Sequence, residues 1–204
     1  MENITNIIFD LGGIFIRLDF SKTDDAFRDL GVPNFAGFFN QHHSSPLFKE
    51  LETGRIGEEE FYDNFRQAVD LNLSDNQIRD AWNAMLLDFP AERLDWLKEI
   101  SQRYKVYLFS NTNIIHYNAF QKIFRESTGK QNFDDYFIKA YYSHDMGLRK
   151  PDASSFEEIL RNEKLEASET LFIDDTPKNI DGAKQVGLQT ILLQLPRTVC
   201  DLKL

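Results

Sequence analysis

Three apolar runs in this chain end abruptly in polar residues that could do chemistry. The first run reaches Asp10, the second reaches Ser110 and Asn111, and the third reaches Asp174 and Asp175. Apolar runs of this kind indicate buried strands, and parallel α/β sheets bind ligands just beyond the carboxyl ends of their strands. We therefore predict that these side chains share one site, with Asp10 at its chemical centre.

Carboxylates gathered in one cavity require positive charge. Asp10, Asp174 and Asp175 would repel one another at low dielectric unless some are protonated or a cation lies among them. Mg²⁺ prefers oxygen ligands, and the loop after Asp10 can add the backbone carbonyl of Gly12. Lys150 supplies a further positive charge, which a bound phosphate dianion also requires. The sequence thus predicts a Mg²⁺ site in which Lys150 contacts a phosphoryl group.

The same residues suit the hydrolysis of a phosphate ester. The Ser110 hydroxyl and the backbone of Asn111 can donate hydrogen bonds to phosphoryl oxygens, as the transfer of a phosphoryl group requires. What remains is a carboxylate nucleophile in line with phosphorus, and its attack gives an aspartyl phosphate. These residue types therefore predict a covalent route at a site centred on Asp10, with Lys150 as a second catalytic residue.

The order of the apolar patterns indicates the elements that must position these residues. From about residue 89 onward, strand-length apolar runs alternate with segments of helical periodicity, which predicts an α/β fold with a doubly wound parallel sheet. Residues 17–88 instead show helical patterns without a convincing strand, including a capping box at Ser74 and Gln77. We predict a catalytic core of residues 1–16 and 89–204, with residues 17–88 inserted after the first strand as a helical cap.

Composition favours a globular protein with a small ligand. Of 204 residues 42% are hydrophobic, and the formal charge of −10 disfavours a general binder of nucleic acid or of anionic membranes. Cys200 is the only cysteine, which excludes an intrachain disulfide and fits a reducing compartment. No leader-like N-terminus and no apolar run long enough to cross a bilayer are present. We expect a soluble cytoplasmic protein that acts on a small phosphorylated metabolite.

Four motifs occur in an order that is specific to one family. They are Phe9-Asp10-Leu11-Gly12-Gly13-Ile14, Leu108-Phe109-Ser110-Asn111-Thr112, Arg149-Lys150-Pro151-Asp152, and Phe172-Ile173-Asp174-Asp175-Thr176 with Asn179, Gly182 and Ala183. With them the chain resembles the haloacid dehalogenase superfamily of hydrolases. The resemblance implies a Rossmann-like core, a cap after the first strand, Mg²⁺ dependence and phosphate-ester hydrolysis.

The resemblance also implies roles for individual residues. Asp10 is the nucleophile and Asp175 binds the metal, while Asp174 holds water beside the metal and Asn179 lies around it. The Asp-Leu-Gly loop and the cap stretch Glu52-Thr53-Gly54-Arg55-Ile56 are similar to bacterial sugar-phosphate phosphatases and to the phosphatase domain of soluble epoxide hydrolases.

One position departs from the family pattern. The family's phosphatases usually carry a second aspartate two residues after the nucleophile, where this chain has Gly12. Loss of a general acid and base typically costs about 10²–10⁴-fold in rate. Either the leaving group needs little help, as in sugar 1-phosphates, or His42 or His43 of the cap supplies the group, or the protein is a weak or retired catalyst. The first interpretation predicts faster hydrolysis of hexose 1-phosphates than of 6-phosphates.

Two other functions stay open at this point. Metal-free carbon–halogen hydrolysis is compatible with Gly12, because the superfamily's dehalogenases also lack that aspartate, but the acidic pair Asp174 and Asp175 speaks against it. A non-catalytic protein that binds a phosphorylated metabolite or a partner is the second alternative. Chloride release without metal would favour the dehalogenase, and Mg²⁺-dependent binding without turnover would favour the binding protein.

Overall fold

The computed structural model describes residues 3–40 and 43–204 of the chain. Within these residues the strands are β1 (Asn6–Phe9), β2 (Phe39–Asn40), β3 (His43–Ser44), β4 (Lys105–Ser110), β5 (Lys139–Tyr142), β6 (Thr170–Asp174) and β7 (Gln189–Leu192). The helices are α1 (Phe20–Asp29), α2 (Pro46–Glu52), α3 (Glu58–Val69), α4 (Asp75–Asn83), α5 (Ala91–Ile100), α6 (Ile114–Thr128), α7 (Ser143–Met146), α8 (Ala153–Glu163) and α9 (Pro177–Gln185). Five strands form one parallel sheet in the order β5-β4-β1-β6-β7, so β1 lies at its centre.

Helices cover both faces of this sheet. Ile7 and Phe9 belong to a hydrophobic cluster with residues of α5 and α6, whereas Ile8 belongs to a separate cluster with residues of α8 and α9. Alternate residues of a strand point to opposite faces, so each cluster fills the space between the sheet and one helical layer. The chain runs from β1 to β4 and β5 on one side and then returns past β1 to β6 and β7 on the other. The predicted doubly wound parallel sheet is confirmed.

Helices α1 to α4 pack around a third cluster that is rich in aromatic side chains. Trp82 of α4 is fully buried there, and its ring centroid lies 4.9 Å from that of Phe48. Ser74 and Gln77 form the predicted capping box at the start of α4. All four helices fall within the predicted cap range of 17–88, and the exact domain boundaries stay a prediction.

The cap also contains strand structure that was not predicted. β2 and β3 pair in antiparallel orientation, with Phe39 opposite Ser44 and Asn40 opposite His43. Each strand is two residues long, which is too short for a period-2 pattern to be visible in the sequence. The expectation of a cap without strands is therefore wrong here, and the pair places Phe39 and Ser44 on the wall of the cavity described below.

Two linker segments join the cap to the core, and they hydrogen bond to each other. The backbone N–H of Arg17 donates to the carbonyl of Asp88 at 2.9 Å, and that of Leu87 donates to the carbonyl of Arg17 at 3.0 Å. Arg17 Nε also contacts Asp88 Oδ1 at 2.6 Å. The chain therefore enters and leaves the cap at one place.

Along residues 3–40 and 43–204, no helix combines the length and the apolar character needed to cross a bilayer. The cytoplasmic location stays a prediction.

Candidate active site

The polar residues predicted at the strand ends lie together at the carboxyl edge of the sheet. Asp10 follows β1, Asp174 ends β6, Asp175 comes next, and one carboxylate oxygen from each lies within 4.8 Å of the others. Lys150 reaches them from the loop before α8, and its Nζ donates to Asp10 Oδ1 at 2.6 Å and to Asp174 Oδ2 at 2.8 Å. A further bond of 2.8 Å goes to the carbonyl of Phe109. The predicted juxtaposition of three carboxylates and one lysine is present.

The charges in this cluster do not balance. Burial raises the pKa of Asp10 to about 7, Lys150 opposes this rise, and Asp174 and Asp175 add to it. Burial and the neighbouring Asp174 also raise the pKa of Asp175. Burial lowers the pKa of Lys150, but Asp10 and Asp174 outweigh that effect and raise it overall. The lysine is therefore charged, and one lysine is too little to offset three carboxylates.

The arrangement fits a Mg²⁺ ion. Mg²⁺ prefers oxygen ligands, and a divalent charge would offset the carboxylate repulsion that adds to the effect of burial on the pKa of Asp10. Gly13 has a φ of +72°, and a Cβ at this residue would lie 2.5 Å from Asp175 Oδ2. Glycine therefore lets the loop after Asp10 approach Asp175 closely. Asp10, Asp175 and the carbonyl of Gly12, which lies in that loop, are the groups that would hold the ion.

Both oxygens of Asp174 are engaged by protein groups. The residue is fully buried, its Oδ1 accepts from Thr176 N at 2.7 Å, and its Oδ2 accepts from Lys150 Nζ. Asn179, in the first turn of α9, donates to Oδ2 at 3.0 Å. These contacts suit the predicted supporting role of Asp174 and Asn179 around the metal, and that role stays a prediction.

Asn111 fixes the backbone of Lys150. Its Nδ2 donates to the carbonyl of Lys150, and its Oδ1 accepts from the N–H of Lys150, each at 2.9 Å. Only a phosphoryl contact was predicted for Asn111, because a reciprocal bond to a residue far along the chain leaves no local pattern. Ser110 ends β4, is 4% exposed and lines the same cavity. Asn113 caps α6 by accepting from His116 N at 3.0 Å, so neither Ser110 nor Asn111 serves as the helix cap.

Core and cap residues together line a cavity of about 850 Å³. Asp10, Ser110 and Lys150 contribute to its wall from the core, and Phe39 and Glu52 contribute from the cap. A cavity of this size has room for a drug-sized organic molecule as well as a phosphoryl group. The cavity therefore lies between core and cap residues and borders the carboxylate cluster.

The position that lacks the family's second aspartate is closely packed. A Cβ at Gly12 would lie 2.8 Å from Leu18 Cδ1 in the linker to the cap, so a larger residue requires Leu18 to move. His43, one of the two predicted substitutes, is exposed and lines the cavity. His42, the other substitute, lies outside the described residues. A catalytic role for either histidine stays a prediction.

Arg93 is a site residue that was not predicted. Its Nη1 donates to the carbonyl of Gly13 at 2.8 Å and to that of Ile14 at 3.0 Å, and the residue is 5% exposed. Burial lowers the pKa of this guanidinium. From the sequence alone, an arginine on an amphipathic helix is expected to be exposed to solvent. No local pattern therefore predicts that Arg93 is buried at the site. The structure shows that it holds the loop that follows Asp10.

The fold and the site define a class of hydrolase. The chain matches the family profile described as haloacid dehalogenase-like hydrolase over residues 4–187, and it belongs to that family. Among curated relatives, a D-ribitol-5-phosphate phosphatase of Bacteroides thetaiotaomicron is 31% identical over 187 residues, which are 92% of this chain and 90% of the relative.

Solved structures of family members are similar over almost the whole chain. An enzyme of this family from Bacteroides thetaiotaomicron, an aspartate-to-alanine variant in complex with magnesium and inorganic phosphate, has a TM-score of 0.90 at 34% identity, covering 95% of this chain and 96% of that one. A family hydrolase from Porphyromonas gingivalis has a TM-score of 0.84 at 33% identity, covering 93% of this chain and 90% of that one.

These comparisons confirm the predicted family, the fold and the class of phosphoric monoester hydrolase. The magnesium in the related structure agrees with the acidic cluster of Asp10, Asp174 and Asp175 in this chain. The substrate and the roles of single residues stay predictions.

Proposed function

We propose that this protein is a Mg²⁺-dependent phosphatase that hydrolyses a small phosphorylated metabolite through an aspartyl phosphate on Asp10. The observation that carries the proposal is the position of Lys150 Nζ, 2.6 Å from Asp10 and 2.8 Å from Asp174, with Asp175 in the same cluster. The excess of carboxylates requires a metal ion. Such an ion, together with Lys150, can offset the negative charge of a bound phosphoryl group. The phosphatase activity named for a relative that is 31% identical supports the same reaction.

Asp10 serves as the nucleophile in this proposal. Lys150 donates to Oδ1, and no hydrogen bond to Oδ2 is found within the described residues. An oxygen of Asp10 attacks phosphorus, the phosphorus–oxygen ester bond breaks, and its electron pair leaves with the alcohol, which takes up a proton. Water then attacks phosphorus, breaks the bond to Asp10 and releases inorganic phosphate, with one proton lost to solvent. The carboxylate is thereby restored.

The surrounding residues bind and orient the phosphoryl group. Ser110, the backbone of Asn111 and the ammonium of Lys150 provide hydrogen bonds and charge to its oxygens. Mg²⁺, held by Asp10, Asp175 and the carbonyl of Gly12, supplies positive charge against the same oxygens when it is bound. The side chain of Asn111 keeps Lys150 in register with the end of β4.

The absence of an acidic side chain at Gly12 affects which phosphate esters the protein can hydrolyse. An anomeric hydroxyl is a better leaving group than an ordinary alcohol, so a sugar 1-phosphate needs less protonation. The relative is named for D-ribitol 5-phosphate, an ester of a primary alcohol, which supports a substitute acid instead. Rates on hexose 1-phosphates and 6-phosphates distinguish the two interpretations. Faster hydrolysis of the 1-phosphates supports the leaving-group interpretation, and equal or reversed rates remove it.

A phosphate-release screen tests the proposed function. Sugar phosphates, nucleotides and small acyl phosphates are assayed with and without Mg²⁺, with Asp10→Asn as the control. We expect release from at least one small metabolite, loss of release in EDTA, and a fall of about 10³-fold or more in Asp10→Asn because the nucleophile is gone. Chloride release from haloacids without metal, or Mg²⁺-dependent ligand binding without turnover, would contradict the proposal.

A further inference from the structure

One ion pair joins the cap to the segment that carries Lys150. Arg149 Nη2 lies 3.0 Å from Oε2 of Glu52, the last residue of α2, and the side chains of Glu52 and Arg149 are 7% and 24% exposed. Both residues line the cavity. Among the salt bridges of the described residues, this one alone connects the predicted cap to the predicted core. Because Arg149 directly precedes Lys150, the pair lies on the cavity wall next to the phosphoryl site.

Close backbone packing fixes the position of Glu52. Gly54 follows shortly after it with a φ of +64°, and a Cβ at Gly54 would lie 2.1 Å from the carbonyl oxygen of His144 in α7. From β3, Ser44 Oγ donates to Glu52 Oε2 at 3.4 Å. The cap backbone therefore touches the core backbone beside this residue. The carboxylate of Glu52 is consequently directed to Arg149 and not to solvent.

The pair retains hydrogen-bonding capacity that the described residues do not use. Arg149 Nε is buried and lacks a hydrogen-bond partner within the described part of the chain. The Arg149 side chain as a whole is 24% exposed on the cavity wall, and no hydrogen bond from its guanidinium group is found within the described residues, so its exposed N–H groups are available to a polar ligand. Glu52 offsets the charge of Arg149, which makes the pair neutral as a whole. A neutral set of donors and acceptors suits hydroxyl groups better than a second anion or an apolar chain.

We propose that Arg149 binds hydroxyl groups of the substrate beyond the phosphoryl group, and that Glu52 is a positioning residue that orients Arg149 from the cap. The substrate class is then a polyhydroxylated phosphate ester that extends from the phosphoryl site into the cavity. This inference rests on the proposed function and adds the residues that select the substrate. An ester with an apolar chain would leave the ion pair without partners and would be rejected.

Matched esters test this selection. The kcat/KM of a pentitol 5-phosphate and that of pentyl phosphate are measured on the Mg²⁺-loaded protein, because both are five-carbon esters of a primary alcohol. We expect the wild-type protein to favour the pentitol ester by about 10²-fold. In Glu52→Gln and Arg149→Met this ratio should fall by about 10- to 100-fold, mainly through a higher KM for the pentitol ester. Arg149→Lys keeps the charge but loses the planar fork, so we expect an intermediate ratio.

Asp63→Asn is the matched control for these variants. Asp63 pairs with Arg66 at 2.5 Å on the exposed surface of the cap and does not line the cavity. The ratio for this variant should equal that of the wild-type protein. Thermal unfolding shows whether each variant is folded, and the nearly isosteric Glu52→Gln preserves the test if Arg149→Met does not fold.

The possible outcomes distinguish a failure of the proposed substrate selection from a failure of the proposed phosphatase reaction. Equal kcat/KM values for the two esters in the wild-type protein, or an unchanged ratio in Glu52→Gln and Arg149→Met, would overturn selection by this pair and leave the phosphatase in place. A preference for a five-carbon phosphate ester that bears a carboxylate would overturn the assignment to hydroxyl groups. No phosphate release from any ester would overturn the proposed function, and this inference with it.

Discussion

Lys150 contacts two carboxylates and a backbone carbonyl while it is 1% exposed, and this combination explains the charge state of the site. A buried ammonium is tolerated when it is paired and fully hydrogen bonded. Three carboxylates nevertheless face one amine, and burial together with the excess negative charge raises the pKa of Asp10 to about 7. The need for a metal ion therefore follows from the residues themselves as well as from the family.

A substitution at Gly13 tests whether activity requires the close approach of the loop after Asp10 to Asp175. Gly13→Ala would place a Cβ 2.5 Å from Asp175 Oδ2 at a φ of +72°, so Asp175 or the loop must move. We expect a loss of activity of about 10²-fold or more, because small misplacements of reacting groups are costly. Phosphate release at saturating substrate measures this loss. Full activity in the variant would show that Asp175 need not lie against the loop.

Gly129 provides the control for this substitution. It has a φ of +71° and open space at its Cβ position, so Gly129→Ala carries the backbone strain alone. Urea unfolding should show a loss of about 1 kcal/mol in Gly129→Ala and at least as much in Gly13→Ala. Activity should fall only in Gly13→Ala.

At the scale of elements, His116 links α6 of the core to α4 of the cap. Its ring stacks on Trp82 with centroids 4.3 Å apart, and its Nε2 lies 3.1 Å from the carbonyl oxygen of Trp82. Burial lowers the pKa of His116 to about 4, and the bond to Trp82 opposes this shift only in part. The ring is therefore neutral near pH 7, and a proton on it would weaken the contact between the two helices.

The pH dependence of stability tests this contact. The pKa of His116 falls from 6.5 in the unfolded chain to about 4 in the folded protein, so between these values only the unfolded state binds the proton. The contribution of neutral His116 to the free energy of unfolding is fully present above the unfolded pKa. It is lost as the pH falls towards the folded pKa, and the total loss is about 3 kcal/mol. His116→Gln should remove this part of the dependence. Urea unfolding across the range measures it for both proteins, and identical pH profiles would contradict the assignment.

For the whole molecule, part of the stability should depend on Mg²⁺. An ion that binds only the folded state adds about 2.7 kcal/mol at a concentration of 100 times Kd. We expect Mg²⁺ to raise the Tm of the wild-type protein and EDTA to reverse the rise, while Asp175→Asn loses most of it. Asp181→Asn removes an exposed carboxylate of α9 and should keep the rise. An equal rise in Asp175→Asn would mean that the ion binds elsewhere.

The catalytic edge of the sheet could be predicted from sequence because each strand is an apolar run that ends in a polar residue. Asp10 and Asp174 both follow such runs, and parallel strands bring their carboxyl ends to one edge. The contacts of Arg93 and the pairing of Glu52 with Arg149 could not be predicted in this way. They join residues that are far apart in the chain, and their partners are set by tertiary packing, which leaves no periodic pattern.

The central claim is that Asp10 carries the phosphoryl group during turnover. The most direct measurement is an acid quench of the Mg²⁺-loaded protein within the first turnover on its best substrate, followed by mass spectrometry of the peptides. We expect phosphoryl mass on the peptide that contains Asp10, formed before steady-state release of phosphate and absent in Asp10→Asn. Phosphoryl mass on a different residue, or undiminished turnover in Asp10→Asn, would contradict the account.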